Sequence, residues 1–303
     1  MNHEINRRNF LETSLITAVM ASTSVRSRTL GAAENDNAVE SPFSVDFSQK
    51  TTPLKPVNGS NFWARLSNNR IFDAHELVKK LNISTVRLHD IPLQNPGMRL
   101  VDIPMIFGRF DADTNDPKNY YFAATDDYIA RILDGKAKII YRLGPSIEHT
   151  QPRRYFALEP SDYLQFAKIC EGIIRHYNEG WADGFHHNIE HWEIWNEPDL
   201  NPQMWDKDFG TYCKMYATVS KYLKEKFSNL KIGGPALCHV SLAETFLKAC
   251  QDAKAPLDFI SWHSYASQPD HVIQMTFQVD ALLKKYGYPN AEQHLNEWHY
   301  FPC

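Results

Sequence analysis

The sequence predicts an α/β fold of the (β/α)8 TIM-barrel type, and three observations lead to it. From Pro53 onward, seven strand-like runs alternate strictly with helical runs. The interiors of these strands are mostly apolar, which is typical of parallel strands covered by helices. Polar and aromatic residues gather at the C-terminal strand ends, where a barrel places its functional site. An open doubly wound sheet is the alternative, but "VNGSNFW" lacks the glycine-rich phosphate turn of that fold.

The first half of the barrel is predicted from short strands and one clear helix start. The first strand lies in "PLKPVNGSNFW" and the second in "STVRLHD". Between them, "DAHELVKKLN" predicts a helix over 73–82 with Asp73 as its N-cap. Residues 91–121 carry several Asp, Asn and Pro residues and predict a long loop. A helix over 125–133 and the third strand, "AKIIYRLG", follow it.

The second half begins with the strongest amphipathic pattern in the chain. In "PSDYLQFAKICEGIIRHYNEG" the apolar residues recur at helical spacing and form one stripe. The following strands are predicted in "HWEIWNEPDL", "LKIGGPAL", "LDFISWHSY" and "EQHLNEWHY", with a helix between each pair. No eighth unit precedes Cys303, so we expect a barrel that lacks its eighth βα unit because the sequence is truncated. Alternatively, the arm before Pro53 replaces the missing strand.

The residues before the barrel predict an export signal and a linker. Arg7 and Arg8 precede a mildly apolar run from Leu15 to Ala21, and small residues follow. This pattern resembles a twin-arginine signal peptide over 1–33, with a linker or arm over 34–52 and the catalytic barrel over 53–303. We therefore expect export to the periplasm or the extracellular space. A disordered basic tail is the alternative. The apolar run is shorter than the roughly 20 residues that a membrane span needs, and no later segment is long enough.

Composition excludes several classes of partner and cofactor. The chain carries a net charge of −4, which gives no electrostatic footprint for nucleic acid. Its aromatic content of 13% suits sugar recognition, because the apolar face of a pyranose stacks on an aromatic ring. The five cysteines form no CxxC pair, so we expect neither a disulfide framework nor a zinc site. No cofactor is expected.

Two glutamates follow asparagines at predicted strand ends. Glu197 ends the fourth strand within "WNEP", and Glu297 lies near the end of the seventh within "LNEW". In a barrel both side chains project into the same mouth, as hydrolysis of a glycosidic bond by two carboxyl groups requires. In a regular strand Asn196 and Glu197 would point to opposite faces. We therefore expect the strand to bulge or to end there, and Pro198 favours an ending.

"WEIWNEPDL", "DFISWHSY" and "LNEWHY" resemble glycoside hydrolase family 39, the β-xylosidase and α-L-iduronidase family. The resemblance covers about Pro53 to Tyr300 and implies a retaining hydrolase without a metal. It implies that Glu197 is the general acid/base and Glu297 the nucleophile. The residues that it assigns to sugar contact or to orienting the nucleophile are Asn196, Tyr265, His263 and His89. Trp298 follows the nucleophile in sequence and is expected in the wall of the site.

Several alternatives remain at this level. Glu193 is expected to be an interior carboxylate paired with Arg87 or Arg142, because a buried charge requires a partner. Three aromatic residues are candidates either for sugar stacking or for the core: Trp63, Trp205 and Tyr300. One rival function is a metal-dependent barrel hydrolase using His149, His187 or His263. The other is a barrel that binds carbohydrate but does not turn it over.

Overall fold

The computed structural model describes residues 46, 48–49, 57–64, 73–89, 99–148 and 154–300. The predicted signal peptide lies wholly outside these residues, and the predicted linker lies outside them almost entirely. Export through a twin-arginine signal therefore stays a prediction. Within the described residues, no helix is both long and apolar enough to cross a membrane.

Seven strands form one sheet in the order in which they occur in the chain, and every neighbouring pair is parallel. Their bounds are β1 Gly59–Ser60, β2 Thr85–Leu88, β3 Lys138–Leu143, β4 His191–Ile194, β5 Lys231–Leu237, β6 Phe259–Ala266 and β7 Glu292–Tyr300. The sequence predicted all seven and their parallel pairing. The fourth strand is shorter than the predicted "HWEIWNEPDL", because its ladder pairing stops at Ile194.

The sheet curls into a nearly closed barrel. In a flat sheet β2 and β7 would lie about 24 Å apart, since neighbouring strands are about 4.8 Å apart. Instead, Nη1 of Arg87 on β2 donates to Oε1 of Glu297 on β7 at 2.8 Å. Nε2 of His191 on β4 likewise lies 3.0 Å from Oε2 of Glu292 on β7. The predicted barrel is confirmed as seven parallel strands, with a helix after each of β1 to β6, and the described residues contain no eighth strand.

Helices cover the outside of the barrel. Their bounds are α1 His75–Lys79, α2 Ile103–Ile106, α3 Ala123–Asp134, α4 Tyr163–Glu179, α5 Phe209–Lys226, α6 Ala243–Ala253 and α7 Pro269–Lys285. The predicted apolar stripe of α4 is buried from Phe166 to Tyr177, and Tyr163 at its start is half-buried. On the outside of the sheet, Trp63 and Trp205 are also fully buried, which assigns both to the core rather than to sugar stacking.

Two predicted elements differ from the structure. The helix predicted over 73–82 is confined to α1, because residues 80–82 continue with the tighter hydrogen bonds to the third preceding residue. The predicted loop over 91–121 contains α2 and a 3-10 turn at Pro117–Asn119. The start of α2 is anchored because the buried Asp102 carboxylate accepts from Arg142 on β3. This long-range ion pair has no signature in local sequence.

Candidate active site

The fourth strand ends in an unusual backbone that turns two consecutive side chains inward. Trp195 has φ +75° and Glu197 has φ +43°, both in the left-handed region that costs a residue other than glycine about 1–3 kcal/mol. The ladder pairing of β4 stops at Ile194, and the Glu197 N–H donates to the carbonyl of Ala236 at 3.0 Å. As expected, the strand ends here, and both Asn196 and Glu197 contact residues of the barrel interior.

Glu197 and Glu297 meet across the mouth of the barrel. One carboxylate oxygen of each lies within 4.8 Å of the other, and a nitrogen of His263 on β6 lies within the same distance of both. Glu197 is 7% exposed, and the side chain of Glu297 is 11% exposed. Two acidic side chains from strands three places apart therefore meet in a nearly buried part of the barrel mouth.

Both oxygens of Glu297 accept hydrogen bonds. Oε1 accepts from Arg87 at 2.8 Å, and Oε2 accepts from the Tyr265 hydroxyl at 2.7 Å. Desolvation of Tyr265, together with its hydrogen bond to Glu297, raises the pKa of this phenol, so it remains a donor. His89 Nε2 lies 3.4 Å from Oε1. Burial and the nearby Arg87 lower the pKa of His89 well below 6.5, so its imidazole is neutral at neutral pH.

Glu197 is held by groups from β5 and β6. Nδ1 of His263 lies 2.6 Å from Oε1 of Glu197, within hydrogen-bond distance. Burial and the negative charge of Glu197 raise the pKa of the Cys238 thiol to about 12, which keeps the thiol protonated beside this carboxylate. The loop that follows β5 is fixed by Asp199, whose carboxylate accepts from the backbone N–H groups of Cys238 and His239.

Below the two glutamates lies a buried polar network centred on Arg87. Its Nε donates to Oε2 of Glu193 at 2.6 Å, and its Nη2 donates to Oδ1 of Asn196 at 2.6 Å. Asn296 donates to the other oxygen of Glu193 at 2.6 Å. Burial opposes the charged form of Glu193, but the Arg87 guanidinium and the hydrogen bonds outweigh it and lower the pKa of Glu193. Of the two partners expected for Glu193, the structure selects Arg87.

Among the buried polar atoms that lack a hydrogen-bond partner within the described residues are two that lie beside the paired glutamates. They are Nδ2 of Asn196 and Nε2 of His263, and both side chains are buried. A buried donor without a partner costs about 1–3 kcal/mol. Both atoms therefore suit a ligand that offers hydroxyl groups.

The sequence match extends well beyond the site. Residues 68–288, well over half of the chain, match the family described as glycosyl hydrolases family 39. The chain belongs to this family.

Family 39 membership agrees with two curated relatives. The chain is 26% identical over 161 residues to a β-xylosidase of Geobacillus stearothermophilus, covering 46% of this chain and 31% of the relative. It is 29% identical over 108 residues to a β-xylosidase of Caldicellulosiruptor saccharolyticus, covering 35% of this chain and 22% of the relative. The match thus spans less than a third of the length of either relative.

Two solved structures share the fold. A glucosidase from Croceicoccus marinus superimposes with a TM-score of 0.69 at 24% identity, covering 82% of this chain and 53% of that one. A monomeric β-xylosidase from Caulobacter crescentus gives a TM-score of 0.56 at 17% identity, covering 76% of this chain and 48% of that one. At these identities the likeness extends to the barrel architecture alone.

The structure brings together six of the seven site residues predicted for this family 39 chain. The six are His89, Asn196, Glu197, His263, Tyr265 and Glu297. The seventh, Trp298, pairs with Ser264 in the β6–β7 ladder and is 69% exposed. Its place in the wall of the site stays a prediction, as do the individual roles of the other six. Tyr300 is 59% exposed on the same strand.

The contacts of Glu297 count against the metal-dependent hydrolase that the sequence left open. Glu197, His263 and Glu297 present three possible ligand atoms. However, Glu297 already accepts from Arg87 and Tyr265, and the guanidinium repels a cation at the oxygen that it contacts. His187 belongs to none of the potential metal-binding groups among the described residues and is stacked on Phe185. His149 lies outside the described residues.

Sequence reasoning missed the central position of Arg87 and the contribution of Asn296. In "STVRLHD", Arg87 and His89 are two residues apart on one strand, so both face the interior. This spacing was a usable signal for Arg87. No such signal existed for Asp199 or Cys238, because their contacts depend on how the loops after β4 and β5 pack.

Proposed function

We propose that this chain is a retaining glycoside hydrolase with Glu297 as nucleophile and Glu197 as general acid/base. The observation that carries the proposal is that one carboxylate oxygen of Glu197 lies within 4.8 Å of one carboxylate oxygen of Glu297. Retaining enzymes separate these groups by about 5–5.5 Å, whereas inverting enzymes separate them by about 6.5–9.5 Å to admit a water molecule. The short separation supports double displacement.

In the first step, Glu297 attacks the anomeric carbon and forms a glycosyl–enzyme ester. Arg87 and Tyr265 hold its carboxylate in position for the attack. Glu197 transfers its proton to the departing glycosidic oxygen, and the leaving alcohol departs. Asn196 Nδ2 is placed to donate to a sugar hydroxyl, a contact that strengthens as the oxocarbenium-like transition state forms.

In the second step, Glu197 removes a proton from water. The resulting hydroxide attacks the anomeric carbon from the face that the leaving group vacated, and Glu297 departs as a carboxylate. Two inversions give net retention. Nδ1 of His263 holds the carboxyl of Glu197 in one orientation for both proton transfers.

The substrate class that we propose is a β-xyloside, because both curated relatives are named β-xylosidases. A panel of nitrophenyl glycosides (β-xyloside, α-arabinoside and β-glucoside) ranks the sugars by kcat/KM. Turnover of the β-xyloside with retained configuration in the proton NMR spectrum supports the proposal. Binding of xylosides without turnover would instead favour the non-catalytic barrel, and loss of turnover with a chelator would favour the metal-dependent hydrolase.

The nucleophile is tested with Glu297→Ala and sodium azide. We expect the variant to lose at least about three orders of magnitude in kcat, since no covalent intermediate forms. Azide fits the space left by the carboxylate and attacks the same face, so the product is the α-glycosyl azide. Glu179→Ala, at an exposed position near the end of α4, is the matched control. Activity of Glu297→Ala that azide leaves unchanged would contradict the assignment.

The acid is tested with Glu197→Gln across a series of leaving groups. A good leaving group needs no proton, so we expect the first step to slow little for dinitrophenyl glycosides. It should slow by about 10²–10⁴-fold for alkyl glycosides. A plot of log kcat/KM against leaving-group pKa should be steeper for the variant than for the wild type. Parallel lines would show that Glu197 does not protonate the leaving oxygen.

A further inference from the structure

Three exposed apolar residues lie in the loop between β3 and α4, and the proposed mechanism does not use them. Tyr155 is 60% exposed, Phe156 37% and Leu158 39%. We call these three residues the Tyr155 shelf. Exposed aromatic residues that are neighbours in sequence on a loop at a barrel mouth are typical of contact surfaces for ligands.

The backbone of the shelf is fixed by a buried charge. The Glu148 carboxylate, in a residue only 5% exposed, accepts from the backbone N–H groups of Tyr155, Phe156 and Ala157 at 2.7–3.1 Å. Hydrogen bonds to an ionised acceptor are roughly twice as strong as neutral ones. The backbone that carries the two rings is thus already held by hydrogen bonds. Stacking of a ligand on them therefore costs little conformational entropy of the loop.

The shelf lies on the acid/base side of the mouth. Its loop contacts the loop that follows Glu197: Glu148 N–H donates to the carbonyl of Gln203 at 3.4 Å, and Glu159 N–H donates to Asp206 at 2.6 Å. The general acid protonates the leaving oxygen, so the leaving group lies on the side of Glu197. The nucleophile, on β7, approaches from the other side of the cavity.

We propose that the Tyr155 shelf binds the leaving-group sugars of an oligosaccharide by stacking. This inference rests on the proposed function, because the acid/base role of Glu197 defines the leaving-group side. The C–H-rich face of a pyranose is neutral and flat, which matches two aromatic rings and a leucine. The preferred substrates are therefore neutral oligosaccharides with at least one sugar beyond the scissile bond, rather than small glycosides.

The test compares substrates with and without a leaving-group sugar. β-Xylosyl fluoride has none, whereas xylobiose, xylotriose and xylotetraose extend progressively onto the shelf. For Tyr155→Ala and Phe156→Ala in the full chain, we expect the ratio of kcat/KM for xylotetraose to that for the fluoride to fall about threefold to tenfold. Tyr155→Phe keeps the ring and should restore the ratio. Phe277→Ala, at a 70% exposed position on α7, should leave the ratio within twofold.

Failure of this inference is distinguishable from failure of the proposed function. If the wild type hydrolyses every substrate and the shelf variants keep its ratio, the shelf has no role and the hydrolase stands. If the wild type turns over nothing, calorimetry with xylotetraose decides the matter. Binding that weakens in Tyr155→Ala but not in Phe277→Ala supports the shelf without hydrolysis. Absence of binding overturns both.

Discussion

Arg87 is the residue on which the electrostatics of the site depend. Its guanidinium is 2% exposed and donates to Glu193, Asn196 and Glu297, so it links β2 to β4 and β7. Burial alone would favour its neutral form, but the attraction of the two glutamates prevails and raises the pKa of Arg87. Only arginine offers this planar fork of donors, because lysine presents a point charge.

We predict that Arg87→Met destabilises the fold and removes activity. Removal of one partner from a buried ion pair leaves the other charge unpaired and costs about 3–5 kcal/mol. The free energy of unfolding, measured in urea, should fall by that amount. Arg109→Met is the control, since a 77% exposed side chain should change it by no more than about 0.5 kcal/mol. A loss below about 1 kcal/mol for Arg87→Met would mean that the buried carboxylates find another partner.

Local sequence sets both ends of α4, the helix that follows the Tyr155 shelf. Asp162 caps its N-terminus, with Oδ1 accepting from Leu164 N–H at 2.8 Å and Gln165 N–H at 3.0 Å. Gly180 ends it in the left-handed conformation with φ +74°. The helix begins a few residues after the Tyr155 shelf, so its capped end fixes one end of that loop.

We predict that Asp162→Ala lowers the free energy of unfolding by about 1 kcal/mol, the usual cost of losing an N-cap. Asp162→Asn should recover most of the loss, since its amide oxygen accepts the same bonds. Lys168→Ala, at an exposed position within α4, should be neutral to within about 0.5 kcal/mol. An Asp162→Ala variant as stable as the wild type would show that the cap contributes nothing.

For the whole molecule, the N-terminal end of the barrel carries its own cross-strand network. Glu292 on β7 accepts from Lys231 on β5, and its carboxylate lies 3.0 Å from His191 on β4 and 2.9 Å from His294. Burial opposes ionisation, but these hydrogen bonds outweigh it and lower the pKa of Glu292 to about 2. In a TIM barrel this end serves stability rather than chemistry.

This network predicts a pH dependence of stability. A depressed carboxyl pKa gives stabilisation that is present above about pH 4.5 and is lost as the pH falls towards 2. Because the Glu292 side chain is 38% exposed, solvent screening limits the effect to on the order of 1 kcal/mol. We expect Glu292→Gln to be less stable at pH 7 and to lose less stability than the wild type between pH 5 and 2. Thermal melts of both proteins, with the exposed Glu225→Gln as control, measure the difference.

The fold was predictable because strand periodicity and strict alternation of elements are local properties of the chain. The site was predictable because Asn196–Glu197 lies just after one strand and Asn296–Glu297 lies near the end of another, and a barrel gathers these ends at one mouth. The contacts of Arg87 were not predictable, since choosing among buried partners requires the curvature of the sheet. The C-terminal end of α1 was also missed, because it depends on packing rather than on local sequence. None of its residues is buried, so no packing extends it.

The charges around Arg87 do not cancel. The single guanidinium of Arg87 faces two carboxylates, those of Glu193 and Glu297. These three groups together carry one unit of negative charge, poorly screened by salt because it is nearly buried. A sugar mimic with a protonated ring nitrogen should accordingly bind there more tightly than its uncharged, oxygen-containing counterpart.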